Sequence, residues 1–230
     1  MKPTLVLWDI DGTLLRGHGI GQRSMEAAFR DVLGLTAFAM DTIPFHGNTD
    51  PLIIAAGLAA LGHDATHATH ATHLTRITEA YLAILQAEVG RANPFVRLPG
   101  AAEVVDALAP HTHQGLGTGN VEAAAWLKVR SVDLHHHFHF GGFGSDAGDR
   151  GELLRIGRDR GAAQLGVTPK ACRVIVIGDT LRDIAAARAI DAEVIAVATG
   201  GATLDTLRGA QPELTFASFV DAAPNITRFV

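Results

Sequence analysis

Leu5, Val6, Leu7 and Trp8 form an unbroken apolar run that stops at two acids, Asp9 and Asp11. A run this short and this apolar predicts a strand buried on both faces. Strand periodicity turns Asp9 and Asp11 to the same side, and Gly12 lets the chain turn away at once. The pattern of an apolar segment ending in small or acidic residues then recurs. Residues 114–118, weakly apolar, run into Gly119-Asn120, and 138–140 run into Gly141-Gly142. Residues 173–177 run into Gly178-Asp179-Thr180, 193–198 run into Thr199-Gly200-Gly201, and 214–216 make a short last strand. Helical periodicity fills most intervals, at 101–108, 121–134, 152–165 and 181–190. Strands alternating with helices predict βαβ units with right-handed crossovers. The expected class is α/β, with a doubly wound, mostly parallel, Rossmann-like sheet.

The stretch from about residue 16 to 94 breaks this rhythm. It carries helical periodicity at 24–33, 51–61 and 74–89 and no convincing strand. About 80 helical residues between the first two strands are too many for a simple crossover, so a separate helical unit is expected. Arg16-Gly17-His18-Gly19 and residues 93–99 read as its connections, with Gly and Pro placed as hinges. The expected division is 1–15 and 96–230 for the sheet-bearing core and 16–95 for the insertion.

Composition narrows the partners. The formal charge is −5, and the 19 Lys and Arg residues form no stripe, which argues against nucleic acid. No stretch approaches eighteen apolar residues, so no membrane partner is expected, and the chain enters its first strand too early for a signal peptide. A cytoplasmic protein is expected. The lone Cys172 excludes an intramolecular disulfide and a cysteine-based zinc site, and it reads as a buried thiol. Two histidine groups stand out. His63, His67, His70 and His73 lie on a drifting helical face without a tight i, i+4 ligand pair. His135, His136, His137 and His139 fall at or in the third strand, where alternation separates neighbours. Neither predicts a physiological metal site.

The acids carry the chemistry. Asp179 leaves a strand at its carboxyl end, and Asp183 follows four residues later on a first helical turn, where acids are also favoured by the macrodipole. With Asp9 and Asp11 on a neighbouring strand, four carboxylates gather at one sheet edge, where open α/β sheets bind ligands. Their repulsion calls for a hard divalent cation with oxygen ligands, Mg²⁺ above all. Thr118-Gly119-Asn120 adds a hydroxyl and free backbone N–H groups at a helix start, suited to an anion.

On these residues the chain resembles the haloacid dehalogenase superfamily over nearly its whole length. Asp9-Ile10-Asp11-Gly12-Thr13 matches the first motif of that family, Thr118 the second, and Gly178-Asp179 with Asp183 the fourth. The helical insertion, with His46-Gly47-Asn48-Thr49-Asp50-Pro51 ahead of a helix, resembles the α-helical cap of the phosphoglycolate-phosphatase-like group. The resemblance implies a Mg²⁺-dependent phosphatase acting on a small phosphorylated metabolite, with no protein partner implied. Asp9 would be the nucleophile that forms an aspartyl-phosphate, and Asp11 the general acid and base. Mg²⁺ would be held by Asp9, the Asp11 carbonyl and Asp179, with Asp183 fixing the site. Thr118 and the Gly119 N–H would bind phosphoryl oxygens. Dehalogenases of the superfamily lack an acid at the Asp11 position, so the resemblance favours phosphoryl chemistry. A phosphomutase of the same superfamily and a non-catalytic phosphometabolite-binding protein remain as alternatives. One motif departs: the third is a Lys, and none of Lys2, Lys128 and Lys170 is well placed. Arg150 is the expected stand-in, as a fork where Lys is a point charge.

Overall fold

The computed structural model describes residues 2–66 and 68–229. In chain order the elements are β1 (Thr4–Trp8), β2 (Leu15–Arg16), α1 (Ile20–Leu33), α2 (Asp50–Ala60), α3 (His70–Ala92), β3 (Val96–Arg97), α4 (Ala101–Leu108), β4 (His113–Thr118), α5 (Glu122–Ser131), β5 (Phe140–Phe143), α6 (Arg150–Gln164), β6 (Arg173–Gly178), α7 (Leu181–Arg188), β7 (Glu193–Val197), α8 (Leu204–Gly209), β8 (Leu214–Phe216) and α9 (Phe219–Ala222). Six strands form one sheet in the order β5-β4-β1-β6-β7-β8, and every pairing is parallel. The expected α/β class and parallel sheet are what the chain adopts.

The period of two explains why β1 is apolar from Leu5 to Trp8. Val6 and Trp8 join one buried cluster, and Leu5 and Leu7 join another on the opposite face. With both faces covered, no position after Thr4 is left for a polar residue. Because β1 lies between β4 and β6, the chain leaves it at the point where strand order reverses. The loops after β1, β4 and β6 therefore open into one crevice at the carboxyl edge.

The third sheet strand lies further along than the apolar pattern suggests. It spans Phe140–Phe143, not 138–140, and His135–His137 form a short 3-10 helix before it. Gly141 and Gly142 look like an exit from the strand but are its interior. A Cβ on Gly142 would stand 1.8 Å from the Leu153 carbonyl oxygen of α6, so glycine is what lets that helix close onto the sheet. The same crowding accounts for the weak signal of β4, whose Gly115 sits under the Phe140 ring.

Helices α1, α2 and α3 lie between β2 and β3, and α1 and α3 pack together. Entry to and exit from this stretch are joined: β2 pairs antiparallel with β3, Leu15 opposite Arg97 and Arg16 opposite Val96. His70 and His73 fall in the first turn of α3, while His67 lies outside the described residues. Among the described residues no helix is long and apolar enough to cross a membrane.

Candidate active site

Asp9 follows β1, Asp179 follows β6, and Asp183 sits in the first turn of α7. All three are buried, and a ligand oxygen from each lies within 4.8 Å of the others. Local sequence brings them this close. Gly12 takes φ +87, and a Cβ there would stand 2.7 Å from Asp179 Oδ2, so only glycine allows the turn after Asp11 to pass the second acid. Thr13 Oγ1 donates to Asp179 Oδ1 at 2.9 Å. Asp183 forms a capping box with Thr180: its Oδ2 accepts from the Thr180 N–H at 3.0 Å and the Thr180 hydroxyl at 2.6 Å.

One guanidinium enters this group. Arg150, the first residue of α6, donates from Nη2 to Asp183 Oδ1, and the same nitrogen lies 3.5 Å from Asp9 Oδ1. Asp149 before it caps the helix by accepting from the Glu152 N–H at 2.8 Å. The cap fixes the start of α6 and with it the place of Arg150. Burial opposes the Arg150 charge, but Asp183 and Asp9 more than offset this and hold it firmly protonated. Buried Arg150 Nε has no hydrogen-bond partner among the described residues.

Three carboxylates against one cation leave the site acidic. Asp9 and Asp179 are both pushed well above the ordinary carboxylate range. Burial is the largest cause for each; repulsion follows, from Asp183 and Asp11 on Asp9 and from Asp9 and Asp183 on Asp179. An all-oxygen donor set with surplus negative charge fits a hard divalent cation such as Mg²⁺. Both Asp183 oxygens already have protein donors, so it suits holding the site in shape better than binding an ion directly.

Thr118 ends β4 fully buried, and Gly119 follows. A Cβ on Gly119 would stand 2.3 Å from the Asn48 carbonyl oxygen and 3.1 Å from Arg150 Nη1. The loop is thus pressed between the segment before α2 and the start of α6. Asp11 points elsewhere, its side chain 47% exposed. Its Oδ2 accepts from Lys128 Nζ at 2.6 Å and from Asn120 Nδ2 at 2.8 Å. Asp9, Asp11, Thr118, Gly119, Asn120, Lys128 and Arg150 line one cavity of about 660 Å³. Its other wall comes from the helical stretch and its flanks: Met25, Phe45, Ile53, Tyr81 and Phe95.

Of the site residues expected from the sequence, Asp9, Asp11, Thr118, Gly119 and Arg150 line this crevice, and Asp179 and Asp183 lie beside Asp9. Three that were not singled out join them: Asn120 as a side chain, Lys128 and Asp50. Lys128 left a signal. In α5 the buried residues are Ala124, Ala125, Lys128 and Val129, so a lysine occupies a position that helical periodicity assigns to the core. Asp50 left none, because its role is a tertiary contact. Its N–H donates to the Gly119 carbonyl at 2.8 Å, and its Oδ2 accepts from the Val121 N–H at 2.9 Å.

A parallel sheet with acids at the carboxyl ends of its two middle strands and the Thr118-Gly119 loop on the next is a Rossmann-like arrangement. The chain belongs to the haloacid dehalogenase-like hydrolases, whose family model matches residues 3–191. No curated protein sequence gives a significant match. Among solved structures the chain is similar to a predicted phosphoglycolate phosphatase from Haemophilus somnus 129PT. Identity is 17%, the TM-score is 0.70, and 100% of this chain and 98% of that one are covered. CbbY from Rhodobacter sphaeroides, solved in complex with phosphate, is 18% identical with TM-score 0.70, covering 96% of each chain. A predicted phosphatase from Clostridium acetobutylicum is 16% identical with TM-score 0.70, covering 99% of this chain and 100% of that one.

Proposed function

We propose that this hydrolase is a Mg²⁺-dependent phosphatase that releases phosphate from a small phosphorylated metabolite through an aspartyl-phosphate on Asp9. The observation that carries the reading is the convergence of Asp9, Asp11, Thr118 and Arg150 on one cavity, with Asp179 and Asp183 directly behind Asp9. The neighbour bound to phosphate agrees with that choice of substrate.

In this reading an Asp9 carboxylate oxygen attacks phosphorus, and the bond to the leaving oxygen breaks with its electron pair on that oxygen. Asp11 gives that oxygen a proton and later takes one from the water that cleaves the aspartyl-phosphate. Thr118 Oγ1 already accepts from Asn120 Nδ2 at 2.8 Å, which leaves its hydroxyl proton for a phosphoryl oxygen. The Gly119 N–H and Arg150 complete the cradle for developing charge. Mg²⁺, held by Asp9, Asp179 and the Asp11 carbonyl with Asp183 behind them, would neutralise the phosphoryl oxygens when bound. Residues 16–95 form the cap that closes the cavity over the substrate, and 1–15 with 96–230 form the catalytic core. The alternative of a binding protein without turnover drew its support from the missing family Lys; the 3.5 Å approach of Arg150 to Asp9 supports Arg150 as the stand-in.

The test is phosphate release across a panel of phosphorylated metabolites. Activity should require Mg²⁺, vanish in a chelator and return when Mg²⁺ is restored. Asp9→Asn should retain the circular dichroism of the parent and show no turnover. Release that persists in a chelator, or in Asp9→Asn, would refute the mechanism.

A further inference from the structure

Among the described residues Lys128 is the one cation lining the cavity that the chemistry above leaves unused and whose charge is buried. It is 4% exposed, on a face of α5 otherwise made of alanine and valine. A buried ammonium persists only where partners compensate its lost hydration. Its partners are Asp11 Oδ2 at 2.6 Å and Asn120 Oδ1 at 2.5 Å, with the Phe95 ring centroid 5.8 Å away. Asn120 closes the circuit by donating from Nδ2 to the same Asp11 oxygen. Two donors thus hold one oxygen of a carboxylate that is otherwise half in solvent. Among the described residues Asp11 Oδ1 has no donor.

We propose that Lys128 is a positioning residue for Asp11, clamping Oδ2 together with Asn120 so that Oδ1 is the oxygen that handles the proton. This rests on the phosphatase reading. Oδ1 passes its proton to the leaving oxygen as the phosphorus–oxygen bond breaks, and regains one from the attacking water. Lys128 keeps its three protons throughout. Arg150 already supplies the cation beside Asp9, and the Lys128 nitrogen is committed to side-chain oxygens, so the geometry gives it orientation and not phosphate binding.

The experiment compares kcat/KM for p-nitrophenyl phosphate with kcat/KM for an alkyl monophosphate hydrolysed by the wild type. Nitrophenolate departs without a proton; an alkoxide does not. Asp11→Asn sets the reference, with an expected loss of ~10²-fold or more on the alkyl substrate and a much smaller one on the nitrophenyl substrate. Lys128→Met should show the same selectivity at smaller size, about 10-fold or more on the alkyl substrate, with inhibition by inorganic phosphate unchanged. Lys128→Arg should recover part of it. If Lys128→Met does not fold, Lys128→Gln carries the same comparison. Equal losses on both substrates with weaker phosphate inhibition would make Lys128 a phosphate ligand and overturn the proposal, as would no loss on either. A selective Asp11→Asn beside non-selective Lys128 variants overturns this inference alone. A wild type that releases no phosphate removes the phosphatase reading itself, and a non-selective Asp11→Asn removes the proton-transfer role of Asp11 and overturns this inference with it.

Discussion

Arg150 is the residue on which charge balance at the site turns, because Asp9, Asp179 and Asp183 crowd together with no other guanidinium or ammonium bonded to them among the described residues. Arg150→Ala should lower kcat/KM by about 3 kcal/mol of transition-state stabilisation, roughly 10²-fold, the usual loss for one donor to a developing oxyanion. Arg150→Lys should fall between: an ammonium restores the charge beside Asp183 and Asp9 but lacks the second guanidinium nitrogen, which lies toward Gly119. Arg155 is the control. It pairs with Glu152 and Asp159 on the outer face of α6, largely in solvent, so Arg155→Ala should stay close to wild type. Steady-state kinetics on folded protein decides it; a silent Arg150→Ala beside a damaging Arg155→Ala would misplace the cation. The site acids were legible from sequence because Asp9 with Asp11, and Asp179 with Asp183, lie within a few residues of a strand end, where local pattern carries position. Lys128 was not. It lies ten residues beyond Thr118, and only the folded α5 brings its nitrogen back to Asp11.

Elements meet at the segment from His46 to Asp50, which enters α2 while lying across the loop after β4. Asp50 bonds to Gly119 with its backbone and to Val121 with its side chain, at the amino end of α5. Asn48 reaches Arg182 of α7, and a Cβ on Gly47 would stand 2.7 Å from the Arg182 side chain. Burial pushes the Asp50 carboxyl up to about 6, only partly offset by Lys128 and the Val121 N–H, from an ordinary 3.8. A raised carboxyl favours the folded state fully below its unfolded value and loses that advantage as pH rises through its folded one. Asp50→Asn removes this titration but keeps an acceptor for Val121. Denaturant unfolding of both proteins from pH 3.5 to 7.5 should show the difference moving in favour of the variant by on the order of 2 kcal/mol across pH 4–6. A difference independent of pH would mean that Asp50 is not desolvated by this contact. The sequence pattern placed α2 within a residue of its observed start but could not reveal this seat. Nor could it give the register of β5, since Gly141 and Gly142 answer to the approach of α6 and not to strand propensity.

At the scale of the molecule, the proposed cap and core share one apolar interior. Val6, Trp8 and Ile177 of the sheet belong to the same buried cluster as Met25, Phe29, Ile54 and Leu58 of the helical stretch. Two chain crossings, tied by β2 and β3, link the two regions covalently. Hinge motion about this ribbon is compatible with a common cluster only if the helices move over the sheet as a packed body. Local melting of the cap would expose part of the interior that the sheet relies on. Phe29 is the place to test this, fully buried, stacked on Phe38 at 4.6 Å, with its ring where a Cβ on Gly57 would lie. Phe29→Ala should destabilise by about 3–5 kcal/mol, the usual loss for an aromatic core truncation. The loss should spread over the chain. Trp8, fully buried in β1, and Trp126 of α5 both lie outside residues 16–95, so tryptophan fluorescence reports on the core, whereas far-UV circular dichroism weighs the helices of both regions. In urea both signals should shift to the same lower midpoint with the m value retained, the mark of one cooperative unit. If the dichroism fell first and the tryptophan fluorescence kept the wild-type midpoint, residues 16–95 would be an independently melting domain, and the shared cluster would carry no cooperativity between cap and sheet.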